Sequence, residues 1–393
     1  MGCISPPGIP RKTILLATVA LTAAVAWLQP PLTARMGALG RVPATSLAGG
    51  TIIGVDTGYS ATKLYTEHEG KHRIMIFPSV TGNAEFSEDF LEVEGESDFI
   101  AELSAEPGVV RNFGETAVRL NRGGEATIDR EEFTKVYNPA LTIAGLARFM
   151  TEKNVPVPET LVVGLPVNFF ALYKKDLTDR LSGEHTVTLY HRDGRVKHKV
   201  EFKIDHILVL PQGYGSYLCW ALDERAGKIP ERMKPTAVID GGEKTLDIIA
   251  AEGRYLDSYS TSIPSSLDAV YQTMQRELDA AHDDYLSRSQ IEAYIRSGEA
   301  YITPTGTRVD LNALREMILK RHVPEIINRI QAVVKPQRPQ HVLVAGGSGE
   351  LLFEPLKEIF PHASKIEPMV FSNAIGFWKY GLMRQGTTNG AAA

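Results

Sequence analysis

The chain has 393 residues, 43% of them hydrophobic and 23% charged, with a formal net charge of −5. This is the composition of a folded protein with room for two domains, and it excludes collagen-like, low-complexity and disulfide-stapled chains. The acidic balance gives no basic field for direct nucleic-acid binding, and the two cysteines, Cys3 and Cys219, lack zinc-like spacing and fit a reducing compartment, Cys219 as a core thiol.

Residues 13–28 carry no charge and are mostly apolar, behind Arg11 and Lys12. A basic stretch followed by an apolar run has the layout of a secretory signal. The run is shorter than the roughly 20 residues a membrane helix needs. Three readings stay open: a secretory signal, a weak membrane anchor, or dispensable sequence ahead of an alternative start at Met36. Residues 29–50 are rich in Pro, Gly, Ala and Thr and read as linker. Residues 1–50 are therefore set apart from the folded chain, as a disordered or anchor-like segment.

From Thr51 strands alternate with helices. Strands are expected at 51–55, 63–65 and 73–77, an opening closer to a meander than to a βαβ unit. Residues 82–135 are acidic and irregular and read as an inserted subdomain. Apolar Leu141, Ala144, Leu146, Ala147, Phe149 and Met150 give 138–150 helical spacing. Strands follow at 160–164, 195–203 and 207–210, then a helix at 214–226. The pattern restarts at Thr236, with strand, turn and strand across 237–251 and a third strand at 254–259. Helices are expected at 265–280, 287–297, 311–334, 348–359 and 373–383, with a strand at 341–345 and a fraying tail from Gln385. One hairpin-rich α/β plan thus occurs twice, each half opening on strand, Asp turn, strand.

Three turns have the chemistry of a phosphate and metal site. In the first, Asp56 ends a strand and can hold a metal-bound water, while Gly58 lets backbone N–H groups approach phosphate and Ser60 can hydrogen-bond it. A hairpin would return Lys63 to the turn, where it neutralises phosphate oxygens. In the second, Asp240 ends a strand, Gly241 and Gly242 turn, and Thr245 and Asp247 begin the return. Two such carboxylates facing each other complete a magnesium site that retains water and uses substrate phosphates. The third, Gly346-Gly347-Ser348-Gly349, opens a helix and admits adenosine or phosphate. Gln212, in Pro211-Gln212-Gly213, has the chemistry to orient an attacking water. Each turn alone reads equally as an ordinary hairpin or helix cap. Their recurrence points to a cleft that holds a nucleotide and its metal.

This ordered set, Asp56-Thr57-Gly58, Lys63, Pro211-Gln212-Gly213, Asp240-x-Gly242-x-x-Thr245-x-Asp247 and Gly346-Gly347-Ser348-Gly349, resembles the actin/sugar-kinase/chaperone ATPase superfamily. Within it the chain looks most like the ParM/StbA plasmid-segregation actins and their archaeal relatives. Supporting stretches are 77–80, 113–117, 163–167 and Phe371-Ser372-Asn373-Ala374-Ile375-Gly376, so the likeness covers about 51–383. The resemblance implies an actin-like (ribonuclease H-like), duplicated two-domain α/β fold around an ATP–magnesium cleft. The implied domains are 51–213, with the insert at 82–135, and 214–371, with 372–393 forming a helix that returns to the first domain plus a tail. By motif match Asp56 and Asp240 are the metal-water carboxylates and Gln212 the water-orienting residue. Thr57, Gly58, Tyr59, Ser60 and Lys63 form the first phosphate loop, Gly241, Gly242, Glu243, Lys244 and Thr245 the second, and Gly346 to Gly349 the adenosine turn. The chain departs from the pattern at Gly241, where an apolar residue is usual, at the charged Glu243-Lys244, and at Ser262 to Ser266, where a glycine run is expected.

The expected function is a cytoplasmic ATPase that closes on Mg-ATP and polymerises with itself, moving plasmid or other DNA through an adaptor protein. Export fits least, because such a machine needs intracellular ATP. A non-polymerising kinase or chaperone-like member is the alternative, though no extra Asp base for a kinase is identifiable. A membrane-anchored scaffold is a third reading, motivated by residues 13–28.

Overall fold

The computed structural model describes residues 50–84, 86, 97–114, 116–117, 130–242, 244–264, 266–286 and 288–390. The apolar segment at 13–28, Glu243 and most of 85–129 lie outside the described residues. Among the described residues no helix is long and apolar enough to cross a membrane.

The first half builds a five-stranded sheet from β1 (Ile52–Thr57), β2 (Ala61–His68), β3 (Lys71–Pro78), β7 (Thr160–Leu165) and β10 (His206–Pro211). β1 pairs antiparallel with β2 and parallel with β7. All six residues of β1 are buried, as a central strand covered on both faces requires. Helices α1 (Asn138–Lys153), α2 (Val167–Leu181) and α3 (Tyr214–Ala221) follow their strands.

A second sheet repeats the plan with β11 (Thr236–Gly241), β12 (Thr245–Ala251), β13 (Thr261–Pro264), β16 (His341–Ala345) and β17 (Ser364–Lys365). Here β11 pairs antiparallel with β12 and parallel with β16. Both sheets run third strand, second, first, fourth, fifth. The duplication expected from the two Asp turns is therefore a duplication of topology. Helices α4 (Ser266–His282), α5 (Arg288–Ser297), α6 (Leu311–Val334) and α7 (Gly349–Ile359) complete this lobe, with the short hairpin β14 (Tyr301–Ile302) and β15 (Arg308–Val309). Helix α8 (Ser372–Gly390) then crosses back onto β1, where a Cβ on Gly54 would lie 2.1 Å from the Ala374 carbonyl oxygen.

Several elements differ from the sequence reading. The region 82–135 is not closed on itself. β4 (Thr81–Asn83), β5 (Phe99–Leu103) and β6 (Val110–Phe113) form one antiparallel sheet with β8 (Gly183–Tyr190) and β9 (Val196–Ile204). The acidic, irregular text hid short strands whose partners lie far along the chain. Helix α2 and strand β8 were not anticipated, since α2 buries little beyond Leu177 and Leu181 and so shows a weak stripe. The third strand of the second lobe lies at Thr261–Pro264 instead of 254–259, where a one-turn 3-10 helix spans Asp257–Tyr259. The final helix continues to Gly390 instead of fraying from Gln385.

Candidate functional site

Each lobe's first hairpin sets its carboxylate by register. Asp56 faces Lys63 across β1 and β2, and Asp240 faces Asp247 across β11 and β12. Directly opposed residues of an antiparallel pair share a face, and Lys63 Nζ indeed donates to Asp56 Oδ2 at 3.1 Å. Asp56, Gln212 and Asp240 are all buried.

Gln212 joins the lobes. It follows β10, which pairs parallel with β7, the neighbour of β1, so that the Gln212 side chain reaches past β7 to the end of β1. Its Nε2 donates to Asp56 Oδ1 and to the Thr57 carbonyl, both at 3.1 Å. Its neighbour Gly213 turns against the second lobe, where a Cβ would meet Asp240 Cβ at 3.4 Å. The two carboxylates thus flank one short loop. Burial pushes Asp240 up to about 6 from 3.8, and the negative charge of Asp56 pushes the same way, while Asn373, Lys63 and Ser216 oppose it. Asp240 feels both Asp56 and Lys63, which places the two lobes' charges within one electrostatic neighbourhood.

The turns also meet. Lys244 Nζ lies 5.5 Å from the centroid of the Tyr59 ring, a cation–π contact between the Asp turns of the second and first lobes. Tyr59 in turn packs on Phe133 at 4.6 Å. Thr57 Oγ1 pairs with Thr142 Oγ1 at 3.0 Å, anchoring the end of β1 to α1. The turn at 346–349 folds under the turn at 241–245: Ser348 N donates to the Gly241 carbonyl and Ser348 Oγ to the Gly242 carbonyl, both at 2.9 Å. This accounts for glycine at 241. A Cβ there would lie 2.4 Å from Ser348 Oγ and 2.7 Å from Gly349 N. Gly346 has φ +77°, and its Cβ would meet Asp240 Oδ1 at 2.3 Å, so glycine is required on both counts.

Of the residues picked out in the sequence, Asp56, Thr57, Gly58, Tyr59, Lys63, Gln212, Asp240, Gly241, Gly242, Lys244 and Gly346 to Gly349 are brought to this cleft by the contacts above and by the turns they share. Thr245 accepts the Gly242 N–H at 2.9 Å through its carbonyl, closing the second turn. Ser60 contributes a backbone carbonyl to Ser79 N at 3.0 Å. Glu243 lies outside the described residues. Sequence reasoning gave no role to Ser216 and Asn373, which contact Asp240, or to Ser372, which backs Ser216: Asn373 Nδ2 lies 2.8 Å and Ser216 Oγ 3.2 Å from Asp240 Oδ2, and Ser372 Oγ lies 2.8 Å from Ser216 Oγ. The available signal was the small-residue pattern Ala374-x-Gly376, which permits a close helix crossing.

The donor set fits a magnesium-bound nucleotide. Among the described residues no group of three or more His, Cys, Asp or Glu could chelate a cation alone. Two carboxylates that flank one loop and whose charges interact, with Lys63 paired to Asp56, leave negative charge that a hydrated divalent ion would neutralise, its remaining positions filled by water and phosphate. An apolar cavity of about 460 Å³ between α6 and α7 lies apart from these residues.

A duplicated α/β fold, with an acidic strand end from each half beside one short loop, defines a two-lobed protein of the actin-like class. The family model for the N-terminal domain of actin-like proteins matches residues 54–215, and that for the C-terminal domain of archaeal MreB-like actin homologues matches 238–358. The chain belongs to the actin-like proteins. No curated protein sequence matches it. Among solved structures, an archaeal actin homologue is 22% identical with a TM-score of 0.63, covering 85% of this chain and 99% of its own. The same homologue in complex with ADP is similar at 20% identity and TM-score 0.60, with the same coverage. A 15-stranded ParM filament from Clostridium botulinum is similar at 20% identity and TM-score 0.64, covering 85% of this chain and 99% of its own.

Proposed function

We propose that this actin-like protein is a cytoplasmic ATPase that binds Mg-ATP between its lobes and polymerises with itself, moving plasmid or other DNA through an adaptor. The observation that carries the reading is the convergence of Asp56 and Asp240 on the Gln212-Gly213 loop. The ADP complex of the archaeal homologue supports a nucleotide ligand, and the ParM filament supports self-association. The lobes are 51–213 and 214–371, with the chain from 372 returning to the first.

In this reading Lys63 and the backbone N–H groups of the first and second turns hold the phosphates, and the adenosine turn at 346–349 receives the nucleoside. Magnesium, when bound, supplies charge neutralisation of the phosphates. Gln212 orients the attacking water, and exclusion of bulk water by lobe closure strengthens every interaction inside. Gln212→Ala is expected to slow ATP turnover by about 100-fold while leaving ATP affinity within a few fold. Loss of affinity instead would make its bonds to Asp56 structural.

Pelleting and electron microscopy with ATP and magnesium test polymerisation. Filaments that form with ATP and disassemble after hydrolysis are expected. A chain that binds ATP and stays monomeric at high concentration is the alternative, non-polymerising member of the class.

A further inference from the structure

Asn373 touches the two halves of the cleft with opposite ends of one amide. Its Oδ1 accepts from Gly213 N at 2.9 Å and Ser216 N at 3.0 Å, and its Nδ2 donates to Asp240 Oδ2 at 2.8 Å, while the single Ser216 hydroxyl proton, 3.2 Å from both Asn373 Oδ1 and Asp240 Oδ2, can serve one of the two at a time. The orientation is forced: backbone N–H groups demand an acceptor, and the carboxylate a donor. Gly213 is the N-cap of α3, and no side chain within that segment caps the helix. Asn373, reaching across from α8, satisfies those N–H groups in trans, as an N-cap side chain would in cis.

The loop fixed by this cap carries Gln212, which holds Asp56. A continuous path therefore runs Asp56, Gln212, Gly213, Asn373, Asp240, with one planar amide as its central link. Asn373 is buried, and Ser216 and Ser372 close round it, their hydroxyls 2.8 Å apart. We propose that Asn373 is a positioning residue that sets the register between the Gln212 loop and Asp240, so that closing the lobes and aligning the attacking water are one event. The proposal rests on the ATPase reading above. It requires an acceptor and a donor at the two ends of one rigid group, which neither Ser nor Asp provides.

Asn373→Asp separates the two ends, keeping the cap acceptor and setting a carboxylate against Asp240. Misplacement of a reacting group by about 1 Å can cost 10²-fold, so turnover should fall at least about 30-fold while KM for ATP stays within about threefold. Adding Asp240→Asn reverses the polarity of the bond, with the new amide donating to the new carboxylate. The melting midpoint of Asn373→Asp should drop by roughly 5 °C, and the double variant should return to within about 2 °C of Asp240→Asn alone. Turnover of Asn373→Asp within twofold of the wild type would overturn the proposal. So would kcat and KM changing in step, or a swap that restores nothing. If the wild type itself does not hydrolyse ATP, the ATPase reading fails instead, and the melting swap still decides whether Asn373 couples the lobes.

Discussion

Asp240→Asn is expected to abolish ATP turnover, by about 10³-fold, and at the same time to stabilise the nucleotide-free protein at neutral pH. The first effect follows, under the proposed function, from removing a buried charge at the proposed cation–phosphate site, where preorganised electrostatics would carry most of the rate. The second follows from the cost of that charge. The carboxyl of Asp240 is raised to about 6 from 3.8, first by burial and then by Asp56. A raised acid binds its proton more tightly in the folded state than in the unfolded state. Between about pH 4 and 6 the folded state therefore holds more protons, and stability falls as pH rises through that window. Above about pH 6 the whole penalty applies, about 3 kcal/mol at roughly 1.4 kcal/mol per unit. Asparagine keeps a hydrogen-bonding oxygen for Asn373 Nδ2 and carries no charge. Thermal or denaturant unfolding without nucleotide should show Asp240→Asn more stable by about 1–3 kcal/mol at pH 7.5, with the gain gone near pH 4. Equal stability at both pH values would mean that Asp240 is not strained, and its place in the site would have to be rethought.

Gly376→Ala is expected to be among the most damaging substitutions outside the three glycine-containing turns. Helices α3 and α8 cross at Gly215 and Gly376, and a Cβ on Gly376 would sit 1.7 Å from the Gly215 carbonyl oxygen and 2.8 Å from Cys219 N. Those neighbours are backbone, so relief requires moving a helix. That helix is pinned on its other side, where Gly54 of β1 lies against the Ala374 carbonyl. Overpacking a core usually costs about 1–3 kcal/mol, and a clash against backbone at this distance should exceed about 3 kcal/mol. The melting temperature should fall by roughly 5–10 °C, and ATP turnover should fall with it, because the crossing also places Asn373. A midpoint within 1 °C of the wild type would show that the two helices do not meet as closely as described.

These two positions mark what the sequence disclosed. The strand ends carrying Asp56 and Asp240 were legible because a β-branched run followed by Asp and Gly has a local reading, and its repetition about 180 residues later gave the duplication. The long helices α4 to α7 were legible from their apolar spacing. Strands β4 to β6 and β8 were not, because their partners lie far along the chain and their surroundings are polar and irregular. Asn373 was visible as a letter in a recognisable stretch. Its role depends on where α8 crosses α3, and that is decided by packing of small residues, not by local pattern. Gly241 looked like a departure until the turn at 346–349 was seen folded against it.

The most direct measurement is equilibrium binding of a fluorescent ATP analogue, with magnesium and with EDTA, to the wild type, Asp56→Asn, Asp240→Asn and the double variant. If both carboxylates serve one cation-bound nucleotide, magnesium strengthens wild-type binding, each single substitution removes most of that gain, and the second adds little to the first. Wild-type binding indifferent to magnesium, or losses that simply add, would contradict a shared site.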